Sequence, residues 1–425
     1  MKKFGLILFL LAMQTVSAQV EYSSGVNTYS GGPLFYIDVA DYKSNVQNKT
    51  RLDIFIQVPY SQIQFIKKDN TFNAGYNVTL TFYDNEKKNI LTERIWREKV
   101  TSKDFAQTLS RSNYNLSYRS FDLNSGSYVV KCILEDADSK RTSSREFPVT
   151  IDMIPDTLGL SDPMLIAEIL KDSTGERIVP NISKIVTNET KNLSFYFETY
   201  SDKERDVFFE YYLENLKAKR STKQLSPQHI KPGTNTIYFT LDSTDFTLGD
   251  YILKVMLKSN DWKEITTSEK KFYSKIQGFP NSIVDLDKAV EQMIYIGSPD
   301  EVDYIEEAEA YDEKLNRFLA FWDKKKPNKQ TYDNPILYEY YRRIDYANKN
   351  FKGLGEGWRS DMGMIYVTFG PPNHVERHPI DPDSKPYEVW EYYDLNRSFV
   401  FLDQTGFGDY RLVNPDYSRW PGYRQ

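Results

Sequence analysis

Asp361 stands beside Ser360 and Trp358 in the stretch Gly357-Trp358-Arg359-Ser360-Asp361. A carboxylate under an aromatic lid is half of a two-carboxylate hydrolase, which needs a second acid roughly 5 to 10 Å away. Glu356, Glu376 and Glu388 are conceivable partners, and spacing does not choose among them. Against this chemistry stands a simpler one, in which Ser360 or Asp361 bonds loop backbone while Trp358 packs beneath, as short polar side chains do at turns. The chain shows no nucleophile elbow, phosphate-binding glycine loop or strict metal motif. The structural role is therefore preferred, and no catalytic residue is assigned.

The other chemistry-bearing groups point the same way. His374 and His378, with Glu376, Asp381 and Asp383, come nearest to a metal site, but Pro379 and Pro382 mark the segment as a loop, where a four-residue spacing guarantees nothing. The acidic run from 300 to 313 holds carboxylates and no base, as solvated helix faces do near a positive N-terminal dipole. Cys132, the only cysteine, lies in an apolar run and reads as a small buried hydrophobe. Arg342 and Arg343 are adjacent on a predicted helix and diverge by about 100°, so both are not expected to face one partner. One is expected to pair with a carboxylate of the C-terminal region, with Asp361 the candidate. No metal and no cofactor is expected.

These residues need elements to hold them. Gly353, Gly355 and Gly357 predict an irregular loop with positive φ angles, followed by a strand over 364–369 that Gly370-Pro371-Pro372 would end. Further strands are expected over 388–393, 398–402 and 410–413. Before the loop the apolar period is helical: Leu286, Ala289, Val290, Met293 and Ile294, then Leu315, Phe318, Leu319 and Trp322. Ser298-Pro299-Asp300-Glu301 predicts a capping box, and Asn334-Pro335 opens a helix whose Leu337, Tyr340, Tyr341, Ile344, Ala347 and Phe351 share a face.

Earlier still the period is two, as in Leu52, Ile54, Ile56 and Val58, in Val78, Leu80 and Phe82, and in the runs 193–198 and 236–240. The spacing Gly-x-Tyr-x-x-Lys-x-x-Leu occurs twice, from Gly126 and from Gly249. A turn glycine before a tyrosine entering a late strand is similar to the tyrosine corner of immunoglobulin-like sandwiches. The fold class expected is multidomain and mainly β. Two immunoglobulin-like β-sandwiches (19–154 and 155–278) precede a helical segment with a small antiparallel-sheet α+β domain (279–425).

The C-terminal third resembles the GWxTD-domain family of bacterial envelope proteins. The residues that carry the likeness are Phe321-Trp322-Asp323, the run from Asn334 through Tyr340-Tyr341-Arg342-Arg343 to Tyr346-Ala347-Asn348, and Gly357-Trp358-Arg359-Ser360-Asp361. Tyr387-Glu388-Val389-Trp390, Phe399-Val400-Phe401 and the stretch 406–413, read as closing strands, follow in order. Ser360 keeps the hydroxyl of the family's threonine. The resemblance marks Gly357, Trp358, Ser360, Asp361, Tyr366, Gly370, Pro371, Pro372, Arg343 and Asn348 as motif residues, with Trp358, Tyr366 and Gly370-Pro371-Pro372 forming a contact surface.

Length and composition set the setting. The 425 residues exceed one core. Residues 1–18 carry two lysines, an apolar run and Val16-Ser17-Ala18, the pattern of a secretory signal peptide. No cysteine follows to take a lipid, and no later stretch reaches the ~20 apolar residues of a spanning helix. A formal charge of −6 argues against nucleic acid. Aromatics at 15% suit strands and tyrosine-lined contacts alike. The expectation is a non-enzymatic scaffold or interaction protein. It would be exported to the periplasm or cell surface of a Gram-negative bacterium, peripheral to the outer membrane, and bound to an envelope protein or complex. The alternative is an envelope hydrolase or a glycan- or peptide-binding module built on Trp358 and Asp361.

Overall fold

The computed structural model describes residues 32–413, apart from 111–112, 173–174, 218–219, 243, 278, 281–282, 284, 330–333, 352–354 and 380–384. The expected signal peptide, Gly353, Asp381 and Asp383 lie outside the described residues. The chain is mainly β and divides into two compact units, 1–39 with 44–153, and 40–43 with 154–425.

The first unit holds the start of β1 (Tyr36–Lys43, of which 40–43 count with the second unit), β2 (Thr50–Pro59), β3 (Ile66–Lys68), β4 (Thr71–Asp84), β5 (Ile90–Ser102), the short α1 (Phe105–Thr108), β6 (Tyr114–Leu123), β7 (Gly126–Asp136) and β8 (Thr142–Ile151). One sheet runs β1-β2-β6. The other runs β3-β4-β7-β8, with β5 also paired to β4. Alternation works as the sequence predicts: Leu52, Ile54, Ile56 and Val58 from one sheet meet Val78, Leu80, Phe82, Val130 and Leu134 from the other in one core. Cys132 is part of it, and burial pushes its thiol up to about 12 against a smaller opposing pull from Arg145.

The second unit begins with another pair of sheets. Its strands are β9 (Leu158–Leu160), β10 (Met164–Asp172), β11 (Gly175–Pro180), β12 (Ile185–Thr187), β13 (Leu193–Ser201), β14 (Arg205–Asn215), β15 (Arg220–Ile230), β16 (Gly233–Leu241), β17 (Gly249–Lys258) and β18 (Glu264–Lys275). They order as β11-β10-β13-β16, with β9 beside β13, and as β12-β18-β17-β14-β15. The repeated tyrosines do the same job in both units. Tyr128 donates its hydroxyl to the Asn124 carbonyl at 2.7 Å, and Tyr251 accepts the Thr247 N–H at 2.9 Å, while both rings are buried.

Helices follow: α2 (Leu286–Glu291), α3 (Pro299–Glu306), α4 (Tyr311–Lys325), α5 (Pro335–Asn350) and α6 (Asp361–Phe369). The Ser298–Glu301 capping box forms, and Asn334 accepts from the amides of Ile336 and Leu337. Leu286, Ala289, Val290, Met293, Phe318, Trp322, Leu337, Tyr341 and Trp358 share one core, which also takes Leu248 from the start of the preceding hairpin. Tyr311 seals that join by donating to the Leu248 carbonyl.

The chain's last sheet is antiparallel, of β19 (His374–His378), β20 (Tyr387–Tyr392), β21 (Arg397–Asp403) and β22 (Tyr410–Leu412). Two expectations fail here. The stretch 364–369, expected as the first strand, is the body of α6, and the His374 segment, expected as a loop, is the strand that takes its place. Every residue from Met362 to Val367 is buried, and a segment apolar all round carries no period to separate helix from strand.

Candidate functional site

The Gly357–Asp361 motif is a turn that starts one helix while leaning on another. Gly357–Arg359 forms a single 3-10 turn. A Cβ on Gly357 would lie 2.2 Å from the Ala347 carbonyl oxygen and 2.6 Å from that of Phe351, so glycine is required by close approach to the end of α5. Gly357 and Gly355 do not take the positive φ expected of them. Asn348, in the last turn of α5, accepts the Trp358 N–H at 3.1 Å.

Trp358 itself is 1% exposed. Its indole N–H donates to Glu356 at 2.8 Å, its carbonyl accepts from Tyr295, and the Tyr295 ring meets it edge-on. The expected contact surface on Trp358 is thereby corrected: a large apolar ring gains more from the core than from water. Tyr366 is buried as well, stacked on Tyr346 with ring centroids 4.4 Å apart.

Ser360 and Asp361 spend their polar atoms inside the fold. Ser360 caps α6, accepting from the Gly363 amide at 3.0 Å and donating to the Gly357 carbonyl at 2.6 Å. Asp361 accepts the N–H of Leu412 in β22 at 2.7 Å. It also stands in the first turn of α6, where a negative charge suits the helix dipole.

Asp361 does not bond either arginine. Arg342 and Arg343 both donate to Glu339, from Nε at 2.7 and 2.8 Å. Adjacent residues do diverge, but an acid three and four positions earlier lies between them on the helix surface. Arg342 first, and Arg343 against the cost of burial, hold the Glu339 carboxyl down at about 2. Arg343 reaches on to the carbonyls of Val367 and Thr368 at 3.2 and 3.3 Å, meeting the negative end of α6. That helix stops at Gly370, at φ +85°, whose carbonyl accepts from Tyr392 at 2.8 Å. Pro371 is exposed and Pro372 half-buried.

The acids named as possible partners of Asp361 are engaged elsewhere. Glu356 pairs with Lys288, Glu388 with Arg377 and the Trp390 indole, and Glu376 with His378. Beside Glu356 a charged cleft of about 570 Å³ is lined by Asp285, Asp287, Lys288, Glu291, Glu306 and Lys314. Within it Lys288 is taken by Glu356 and Lys314 by Asp287. His374 and His378 lie on one strand, about 13 Å apart at roughly 3.3 Å per residue, too far to share an ion. No group of three metal-binding side chains occurs among the described residues.

Sequence reasoning missed the most exposed large apolar side chain of the domain. Residues 406–409, expected within a closing strand, form a loop between β21 and β22 with Phe407 at its tip, 92% exposed. The loop is tightly held. Asp403, 3% exposed, accepts from the amides of Thr405 (3.1 Å), Gly406 (2.9 Å) and Gly408 (2.7 Å). Burial works to raise its pKa, but those amides outweigh it and hold the carboxyl below its ordinary range. The available signal was the pair of glycines flanking one aromatic, both now at positive φ.

No curated protein matches the chain. Among solved structures, red sea bream transglutaminase is 12% identical over 56% of this chain and 31% of its own, with a TM-score of 0.17. A Bacteroides uniformis β-glucuronidase is 10% identical over 52% and 26%, at 0.20, and a DUF4785 family protein from Legionella pneumophila 10% over 56% and 56%, at 0.20. The chain spans less than two thirds of each of them. Residues 239–414 match the GWxTD domain family, from the last strands of the second pair of sheets to β22, and the chain carries a GWxTD domain there.

Proposed function

We propose that this protein is a non-enzymatic interaction or scaffold component of a bacterial cell envelope, exported to the periplasm or cell surface, and that its GWxTD domain engages an envelope protein or complex through Phe407. The observation that carries the reading is the exposure of Phe407 on a loop fixed by Asp403. An aromatic held out in water at little ordering cost to its loop is the type of anchor that dominates protein interfaces. The motif residues support this by default: Trp358, Ser360, Asp361, Asn348 and Arg343 are all spent on holding α6 against α5 and β22. Among the described residues no helix is long and apolar enough to cross a membrane.

The test is a crosslinking pull-down from intact cells with tagged native protein and Phe407→Ala. The native chain is expected to recover one envelope complex, and the variant to lose it at an unchanged melting temperature. Equal recovery by both would remove Phe407 from the interface and the reading with it.

A further inference from the structure

The two pairs of sheets repeat one hairpin and finish it differently. β4 and β5 in the first unit correspond to β14 and β15 in the second: each is the strand beside the tyrosine-bearing strand, followed by an outer strand with one neighbour. An outer strand offers a row of unpaired backbone groups, which proteins usually blunt. β15 carries Pro227, opposite Phe208 in the register, and proline cannot donate to an added strand. β5 has no proline along its 13 residues, no strand on its outer side among the described residues, and Ile90, Leu91 and Ile95 exposed by 60%, 53% and 68%.

The charges on β5 say what fits there. The centre reads Glu93-Arg94-Ile95-Trp96-Arg97-Glu98-Lys99. Laid antiparallel on itself with Trp96 opposite Trp96, it sets Glu93 against Lys99 and Arg94 against Glu98, each twice by symmetry. A slip of one residue would turn one strand's side chains to the wrong face, so the competing registers are slips of two. One sets only Glu93 against Arg97, and the other brings Arg97 onto Arg97. Opposite charges across a strand pair stabilise it and like charges do the reverse, so the sequence favours the register centred on Trp96, which opposes the most charges. Within its own chain Glu93 is placed by a 2.7 Å bond from Thr81, whereas Glu98 is shared with Arg119 at 3.1 Å and Ser117 at 2.8 Å and Arg94 lies over the Phe121 ring, so the Glu93–Lys99 pair carries most of the complementarity.

We propose that β5 pairs antiparallel with β5 of a second copy of this chain, about a two-fold axis at Trp96, joining the two edges into one continuous sheet. Such an interface is isologous, so each charge pair occurs twice and one substitution strikes both. The pairing is independent of Phe407.

Sedimentation equilibrium of the full chain tests it with two variants. The native chain is expected to dimerise. Lys99→Glu places a second carboxylate opposite Glu93 on both sides and should weaken the dimer at least about tenfold at an unchanged melting temperature. The swap Glu93→Lys with Lys99→Glu restores opposite charges and should restore the dimer. A native chain that stays monomeric at its highest soluble concentration overturns the proposal, as does a Lys99→Glu dimer of native strength. Hydrogen exchange adds a further check: protection of residues 90–102 should rise with concentration. Full protection at every concentration would overturn the proposal by assigning the edge to a segment of the same chain.

Discussion

Two short stretches of the GWxTD domain share a vocabulary and end in opposite places. Gly357-Trp358 and Gly406-Phe407-Gly408 each set an aromatic beside glycine, close to an aspartate. Trp358 is 1% exposed and Phe407 92%. In the first, glycine lets the turn press onto α5, the aromatic falls into the helical core, and Asp361 reaches away to β22. In the second, Asp403 accepts from the loop's own amides, and the ring between the two glycines stands out in water. The carboxylate serves distant chain in one case and its own loop in the other.

Mutations separate the two roles. Trp358→Ala should be the most damaging, costing about 3–5 kcal/mol in chemical denaturation for an emptied core position. Asp403→Ala strips the acceptor from three loop amides and should cost about 1–3 kcal/mol, with hydrogen exchange faster at Thr405, Gly406 and Gly408. Ser360→Ala removes the cap of α6 at a cost of about 1 kcal/mol.

Acid should loosen the ground beneath the motif by less, because Glu339 is partly exposed. Its carboxyl falls from an ordinary 4.5 to about 2 in the fold. Its contribution is therefore complete above the ordinary value and is lost as pH falls towards the folded one. A stability difference between native protein and Glu339→Gln should close over that window, and one that widened would break the assignment. Phe407→Ala should change stability least, within about 0.5 kcal/mol. If it cost as much as Trp358→Ala, the contrast between the two aromatics would collapse.

Much of this was legible from residue order. Alternation located β2, β4, β13 and β16, because one buried face imposes a period of two, and the tyrosine spacing foretold two phenols capping the loops before their strands. Caps located α3 and α5, since Ser298 and Asn334 accept from the first amides of their own helices. What failed has different causes. The run 364–369 holds Ile365, Val367 and Thr368, which favour strands, and burial of 362–367 left no period to mark the helix that Ser360 caps. Glu339 lay too near Arg342 and Arg343 in sequence to draw notice as their common partner. The exposure of Phe407 accompanies a loop closed on Asp403, which no periodicity records.

The hydrogen bond between Asp361 and Leu412 spans 51 positions, and that separation sets an order of events. A chain is synthesised from its N-terminus and its domains fold as units during or after that synthesis. Ser360 can cap α6 as soon as Gly363 exists, but the carboxylate beside it has only water until β22 arrives. The motif therefore closes last, and its completion registers that the final strand has docked. Until then α6 stands with its first turn unfastened from the sheet, and for a chain exported as proposed above, that delay would keep it pliable for as long as it must still be threaded.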